Sequence, residues 1–241
     1  SIASFGEYGL WEDIRPPLLP LFLSVGFFFK HSLFAAEFIL LLFASGTLVL
    51  LYFLSLHLFN KHIARLSVLF LCLTPLFLFD SMQILTGIPS VFFVLLSFYI
   101  FLKADDNDKK RLFLAGFFAA LAFLTRFPSG LLLIAFVVIL VFYAHNKKTY
   151  QSLTLKIFFL TSGFLLLFLV FIIVNTYIYH TFTANIVDAM LRPLLLGGKH
   201  QGNTLHIVSG VFANISFYPL QLFWNNPLLI FSLFSLGFLF L

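Results

Sequence analysis

Two arginines are the residues on which a chemistry can be built. Arg15 lies in Trp11-Glu12-Asp13-Ile14-Arg15-Pro16-Pro17-Leu18, where carboxylates and a guanidinium stand beside a double proline at the start of an apolar run. Proline fixes its own φ and biases the residue before it away from helix, so the pair predicts a turn that holds Arg15 at a defined place on a membrane surface. A guanidinium is a planar fork of donors that suits a phosphate. Arg126 stands in Leu124-Thr125-Arg126-Phe127-Pro128, at the tip of an expected helical hairpin, and is expected to reach the same layer. An Arg held at the surface beside acidic residues is what an enzyme of lipid-linked phosphates needs. The plain alternative for both is a side chain snorkelling to headgroups.

A second group, Glu12, Asp13, His200 and His206, offers carboxylates and imidazoles for a divalent metal ion or for the acceptor side of a reaction. No pair among them has the spacing of a zinc motif. The 180–210 stretch that holds the two histidines also carries His180, Asp188, Arg192 and Lys199, with Gly197-Gly198 as a hinge. Asp80 reads as a turn residue, Glu37 as half-exposed at an interface and His57 as interfacial. No phosphate-binding glycine loop, Ser-His-Asp order or haem motif is present.

The elements that must position these residues are membrane helices. The chain is 61% hydrophobic, 20% aromatic and only 10% charged, against about 25% charged in a soluble domain. The reading is an all-α, polytopic membrane bundle with about 7–8 transmembrane helices. The net charge of +5 is spread over the loops and fits a positive-inside bias rather than a nucleic-acid surface. Cys72 is the one cysteine, so no intrachain disulfide forms. The first residues carry no signal-peptide pattern, and the last stop inside an apolar run; the expectation is a fragment cut at both ends.

Residues 1–15 read as the end of a first extracytoplasmic loop, and 16–241 as a transmembrane domain with an extracytoplasmic loop at 180–210. Pro16 to Phe29 would be about 21 Å as a helix, short of a ~30 Å core, and reads as interfacial. Leu33–Leu58 and Ile157–Tyr179 are comfortable spans. Leu66–Phe79 with Ile84–Leu102, and Leu112–Thr125 with Gly130–Ala144, read as hairpins around Asp80-Ser81-Met82-Gln83 and Arg126-Phe127-Pro128-Ser129. Val211–Trp224 is ambiguous and Pro227 starts another span. The phenylalanines read as lipid-facing filler. Loops 60–65, 103–111 and 145–156 share one side and hold nine of the Lys and Arg residues, against five opposite. That asymmetry predicts the first set to be cytoplasmic and puts Arg15, Asp80, Arg126 and 180–210 outside.

The order of these features resembles the GT-C polytopic glycosyltransferases, in the branch of protein O-mannosyltransferases and lipid A aminoarabinose transferases (glycosyltransferase family 39-like). The matching stretches are Arg15-Pro16-Pro17-Leu18, Leu58-Phe59-Asn60-Lys61 with Ala64-Arg65-Leu66, Leu73-Thr74-Pro75, Gly87-Ile88-Pro89-Ser90, Leu114-Ala115-Gly116 and Leu121-Ala122-Phe123-Leu124-Thr125-Arg126. They cover roughly residues 7 to 180. The resemblance implies an inverting transferase that takes a sugar from a polyprenyl- or dolichyl-phosphate donor on the extracytoplasmic face and passes it to a protein or glycolipid acceptor. It places Arg15 and Arg126 at the donor phosphate, makes Glu12 or Asp13 the counterpart of a metal ligand, and puts the main acidic pair upstream of Ser1. It implies a prokaryotic plasma membrane, membrane lipids as surroundings and no nucleic acid. One departure stands out: many relatives have Asp where this chain has Gly87. Two other classes fit the same composition. A transporter or lipid flippase would show charges along a path or inverted repeats, which this chain does not. A non-catalytic scaffold would lack carboxylates in the upstream loop.

Overall fold

The structure is a computed structural model, and it describes residues 16–26, 32–105, 108–147 and 150–179. Eight α-helices fill these residues, with no strand among them: α1 (Leu18–Gly26), α2 (Ser32–Leu58), α3 (Lys61–Leu73), α4 (Pro75–Met82), α5 (Gly87–Leu102), α6 (Lys109–Thr125), α7 (Leu131–Lys147) and α8 (Tyr150–Tyr179). A 3₁₀ turn, Phe127–Gly130, joins α6 to α7. The all-α reading holds. Among the described residues three stretches are long and apolar enough to cross a membrane, Phe34–Leu58, Phe127–His145 and Leu153–Tyr177, and the bent α3–α4 pair makes a fourth if counted as one span. The apolar α5, Gly87–Leu102, is shorter than these, and the expected 180–210 loop and the segments after it lie outside the described residues.

The predicted Leu66–Phe79 segment needs correction. The helix begins at Lys61, where Asn60 caps it by accepting the N–H groups of His62 and Ile63, as a good N-cap does. It then breaks at Thr74 and resumes at Pro75, with a 63° bend between the halves. Pro75 has no N–H to give and disfavours helix in the residue before it. Thr74 accordingly takes an extended backbone. The short apolar segment after Pro17 is the nine-residue α1, about 14 Å long. It is too short to cross and packs on α2 and α6, with Pro17 and Leu19 buried.

In lipid the hydrophobic effect does not drive helices together, so close packing and small residues must. The α6–α8 contact is built that way. A Cβ on Gly116 would lie 1.9 Å from the Leu160 carbonyl oxygen, and one on Gly163 would lie 2.0 Å from that of Phe113. Each glycine lets the other helix's backbone approach to a distance no side chain permits. Ala115, Ala119 and Ala120 continue the seam and are fully buried.

Aromatic rings fill the space between the helices. Phe101 stacks on Phe136 at 4.2 Å, Phe123 meets Phe127, Phe164 and Phe168, and Phe22 of α1 joins Phe43 and Phe93. The phenylalanines are therefore not only lipid-facing filler. Phe93, Phe101, Phe123, Phe127, Phe136 and Phe164 are buried core, while Phe34, Phe70, Phe142 and Phe158 face outward. Phenylalanine suits both places because offset and edge-to-face rings pack well, and hydropathy alone does not distinguish them.

Contacts along the helices fix their directions. α2 and α5 run parallel, Phe43 meeting Phe92 and Phe93 while Phe53 meets Tyr99. α6 returns against α5, where Ser97 Oγ donates to the Ala115 carbonyl. α8 runs parallel to α6, from Lys109 over Phe159 at one end to Phe127 on Phe171 at the other. α7 runs antiparallel to α8, with Lys156 over Tyr143. The turns around 60, 103–109 and 147–150 thus share one end of the bundle, which is the basic end. The start of α5, the end of α6 and the 3₁₀ turn share the other.

Candidate functional site at the Arg126 end

Arg126 stands where α6 stops. Thr125 is buried and donates its hydroxyl to the Leu121 carbonyl at 2.7 Å. The chain then turns to an extended conformation at Arg126, φ −153° and ψ 113°. Its N–H still donates to the Ala122 carbonyl, and its own carbonyl accepts from Ser129 N, both at 2.9 Å. Pro128 stops the helix from continuing, because its ring fixes φ and supplies no N–H. Phe127 is buried against Phe123 and Phe171 and anchors the turn from below. The backbone is thus clamped on both sides of Arg126 while its side chain is exposed. No carboxylate or carbonyl among the described residues pairs with the guanidinium.

The start of α5 completes this end. Ser90 Oγ and Ser129 Oγ share a hydrogen bond of 2.7 Å, which ties α5 to the 3₁₀ turn. Ile88, Pro89 and Ser90 are buried. Asp80, half-buried in the last turn of α4, brings its carboxylate beside Gly87: a Cβ there would be 3.7 Å from Asp80 Oδ2. A negative charge at the start of α5 interacts favourably with the partial positive charge of a helix N-terminus. The turn role expected for Asp80 agrees with its backbone, whose carbonyl accepts from Gln83 N.

Sequence reasoning named Arg126, and the structure puts it at the end of the bundle opposite the basic turns. Arg15, Glu12, Asp13, His200 and His206 lie outside the described residues, so the expected meeting of Arg15 with Arg126 and the expected metal ligands have no geometry here. Among the described residues no group of three or more His, Cys, Asp or Glu side chains comes together as a metal site. Glu37 and His57 are both exposed, in keeping with interfacial positions. The Ser90–Ser129 tie escaped the sequence reading, since a serine within an apolar helix gives no signal of its partner. Asn175 escaped it as well, although an amide inside an apolar span is a visible signal.

A bundle of apolar helices, three of them among the described residues long and apolar enough to cross a membrane, defines a polytopic membrane protein. The sequence pattern of the dolichyl-phosphate-mannose-protein mannosyltransferase family matches residues 14–178. The chain belongs to that family, a membrane glycosyltransferase of the mannosyltransferase type. The matched span runs from the turn before α1 to the end of α8 and includes the whole Arg126 end. Searches of curated proteins and of solved structures gave no match.

Proposed function

We propose that this protein transfers a sugar from a polyprenyl- or dolichyl-phosphate donor to a protein or glycolipid acceptor on the extracytoplasmic face of a prokaryotic plasma membrane. The observation that carries the reading is the clamped turn that presents the Arg126 guanidinium without a partner among the described residues. Family membership supplies the class of reaction.

When the bond between the sugar and the lipid phosphate breaks, negative charge is left on the phosphate. A cation already fixed at that place stabilises the leaving group without reorganising during the step, which is electrostatic catalysis. The rigid turn around Arg126 provides such pre-placement. Arg15, next to Pro16-Pro17, is the second cation of this proposal, because its fork has the same match to phosphate. A carboxylate on the acceptor side removes the acceptor's proton. Glu12, Asp13, His200 and His206 are the candidates there or as ligands of a divalent metal ion, for which mixed carboxylate and imidazole donors are suited.

The charge asymmetry supports the outer face. The three basic turns share one end of the bundle, and Lys and Arg accumulate on the cytoplasmic side, so the Arg126 end is outside.

The test is sugar transfer from polyprenyl-phosphate-mannose by the full-length protein in liposomes, normalised to folded protein. Arg126→Ala is expected to lower turnover by about 10²–10³, as loss of one transition-state donor does in other enzymes. Arg126→Lys keeps the charge but loses the fork and retains part of the activity. Unchanged turnover in the Ala variant would reduce Arg126 to a snorkelling residue.

A further inference from the structure

Asn175 and Thr176 lie near the end of α8, inside the apolar span Leu153–Tyr177. Asn175 is only 4% exposed. Its Nδ2 and the Thr176 Oγ1 are both buried and have no hydrogen-bond partner among the described residues. Other threonines in these helices behave differently. Thr47, Thr125 and Thr161 each donate to the carbonyl four residues back at 2.7 Å. The hydroxyl of Thr176 is not engaged in that way. Leaving polar donors unpaired at membrane depth is costly, and such groups mark functional positions by default.

Their place on α8 says what they face. Phe164 and Phe168 pack on Phe123, and Phe171 packs on Phe127. Positions 164, 168, 171 and 175 follow the four- and three-residue steps of one helix face, so Asn175 continues the stripe that rides along α6 and its 3₁₀ turn. It lies one turn beyond Phe171, about 6 Å along the axis, toward the end where Arg126 stands. Consecutive on the helix, the two side chains point about 100° apart, so one ligand serving both must spread its acceptor atoms over several directions; a phosphate does so, and the guanidinium at that end also suits it.

We propose that Asn175 Nδ2 and Thr176 Oγ1 are binding donors to the phosphate of the lipid-linked sugar. The inference rests on the reading of Arg126 given above. Asn175 and Thr176 bind the phosphate from the α8 side, and the guanidinium binds it from the α6 side.

The experiment measures binding of polyprenyl phosphate, without sugar, to the full-length protein in nanodiscs of neutral lipid. It compares wild type with Asn175→Leu, Thr176→Val and Arg126→Ala, and records Tm of each protein without ligand. Asn175→Leu should weaken binding about tenfold or more, the effect of one hydrogen bond to a charged group. It should leave Tm unchanged or raised, since an unpaired buried donor has been replaced by an apolar group. Should the Leu variant not fold, Thr176→Val, which is isosteric, carries the test and should weaken binding several-fold. Binding unchanged in every folded variant of this pair overturns the proposal. If Arg126→Ala alone weakens binding, the Arg126 reading survives and the α8 donors do not contribute. If Arg126→Ala also leaves binding unchanged, both readings fail. Equal competition by phosphatidylglycerol would make the site a general headgroup site and overturn the assignment to the donor lipid.

Discussion

The two ends of α6 carry an arginine each, and the two side chains are in opposite states. At the start, Arg111 is engaged by its own loop through Nε and Nη1. Its Nε pairs with Asp108 at 3.2 Å, its Nη1 lies 3.7 Å from Asp105, and the same Nη1 donates to the Lys103 carbonyl. Asp108 in turn caps the helix by accepting the Arg111 N–H. At the other end, Arg126 is held by its backbone, and its guanidinium has no partner among the described residues. Arg111 closes a turn, whereas Arg126 is left with donors that only something outside the described chain can satisfy. The positive-inside rule counts both equally; local pairing tells them apart.

The severest way to break this contrast is to break the helix on which both arginines ride. Gly116→Val places a side chain where the Leu160 backbone already stands, 1.9 Å from the new Cβ. Helices cannot yield that much without separating, so the cost should exceed the about 1–3 kcal/mol typical of overpacking. The expected outcome is loss of monodisperse protein in detergent and of a cooperative thermal transition. A folded variant of wild-type Tm would show that the α6–α8 seam does not hold the bundle together.

The orientation of the contrast is tested by labelling. In a Cys72→Ser background, Pro128→Cys should react with an impermeant thiol reagent in intact cells, and Lys110→Cys should be protected. The reverse pattern would put the Arg126 end in the cytoplasm and remove it from the face proposed for transfer.

The smallest effect is expected at Arg111. Its ion pairs are exposed, with side-chain exposures of 46% for Arg111 and 91% for Asp105, and exposed pairs contribute about 0–1 kcal/mol. Arg111→Ala should lower Tm slightly, less so at high salt, and leave turnover unchanged. A large loss of turnover would mean that the engaged arginine also takes part in function.

Much of the frame could be read from hydropathy, because apolar runs of about 20 residues have few other uses. α2, α6 and α7 came out near their places, whereas α8 begins at Tyr150, seven residues before the expected Ile157, so that much of the expected 145–156 loop is helix; the three basic segments fell on one end. The Thr74–Pro75 break was present in the sequence as a helix-stopping dipeptide, but the apolar residues on both sides hid it. The division of phenylalanines between core and lipid had no sequence signal, since both environments are apolar. Arg126 was legible as a charge at a hairpin tip. Whether it was paired depended on which carboxylates the fold brings near, and the Ser90–Ser129 tie depended on contacts 39 residues apart.

The central claim is that Arg126, and not Arg111, is available to an anionic ligand. It is tested most directly by measuring polyprenyl-phosphate binding to the full-length protein in neutral nanodiscs, with Arg126→Ala and Arg111→Ala side by side. The account predicts at least about tenfold weaker binding for Arg126→Ala, the loss of a charge-assisted contact, and wild-type affinity for Arg111→Ala. Equal losses in both variants, or a loss only in Arg111→Ala, would contradict it.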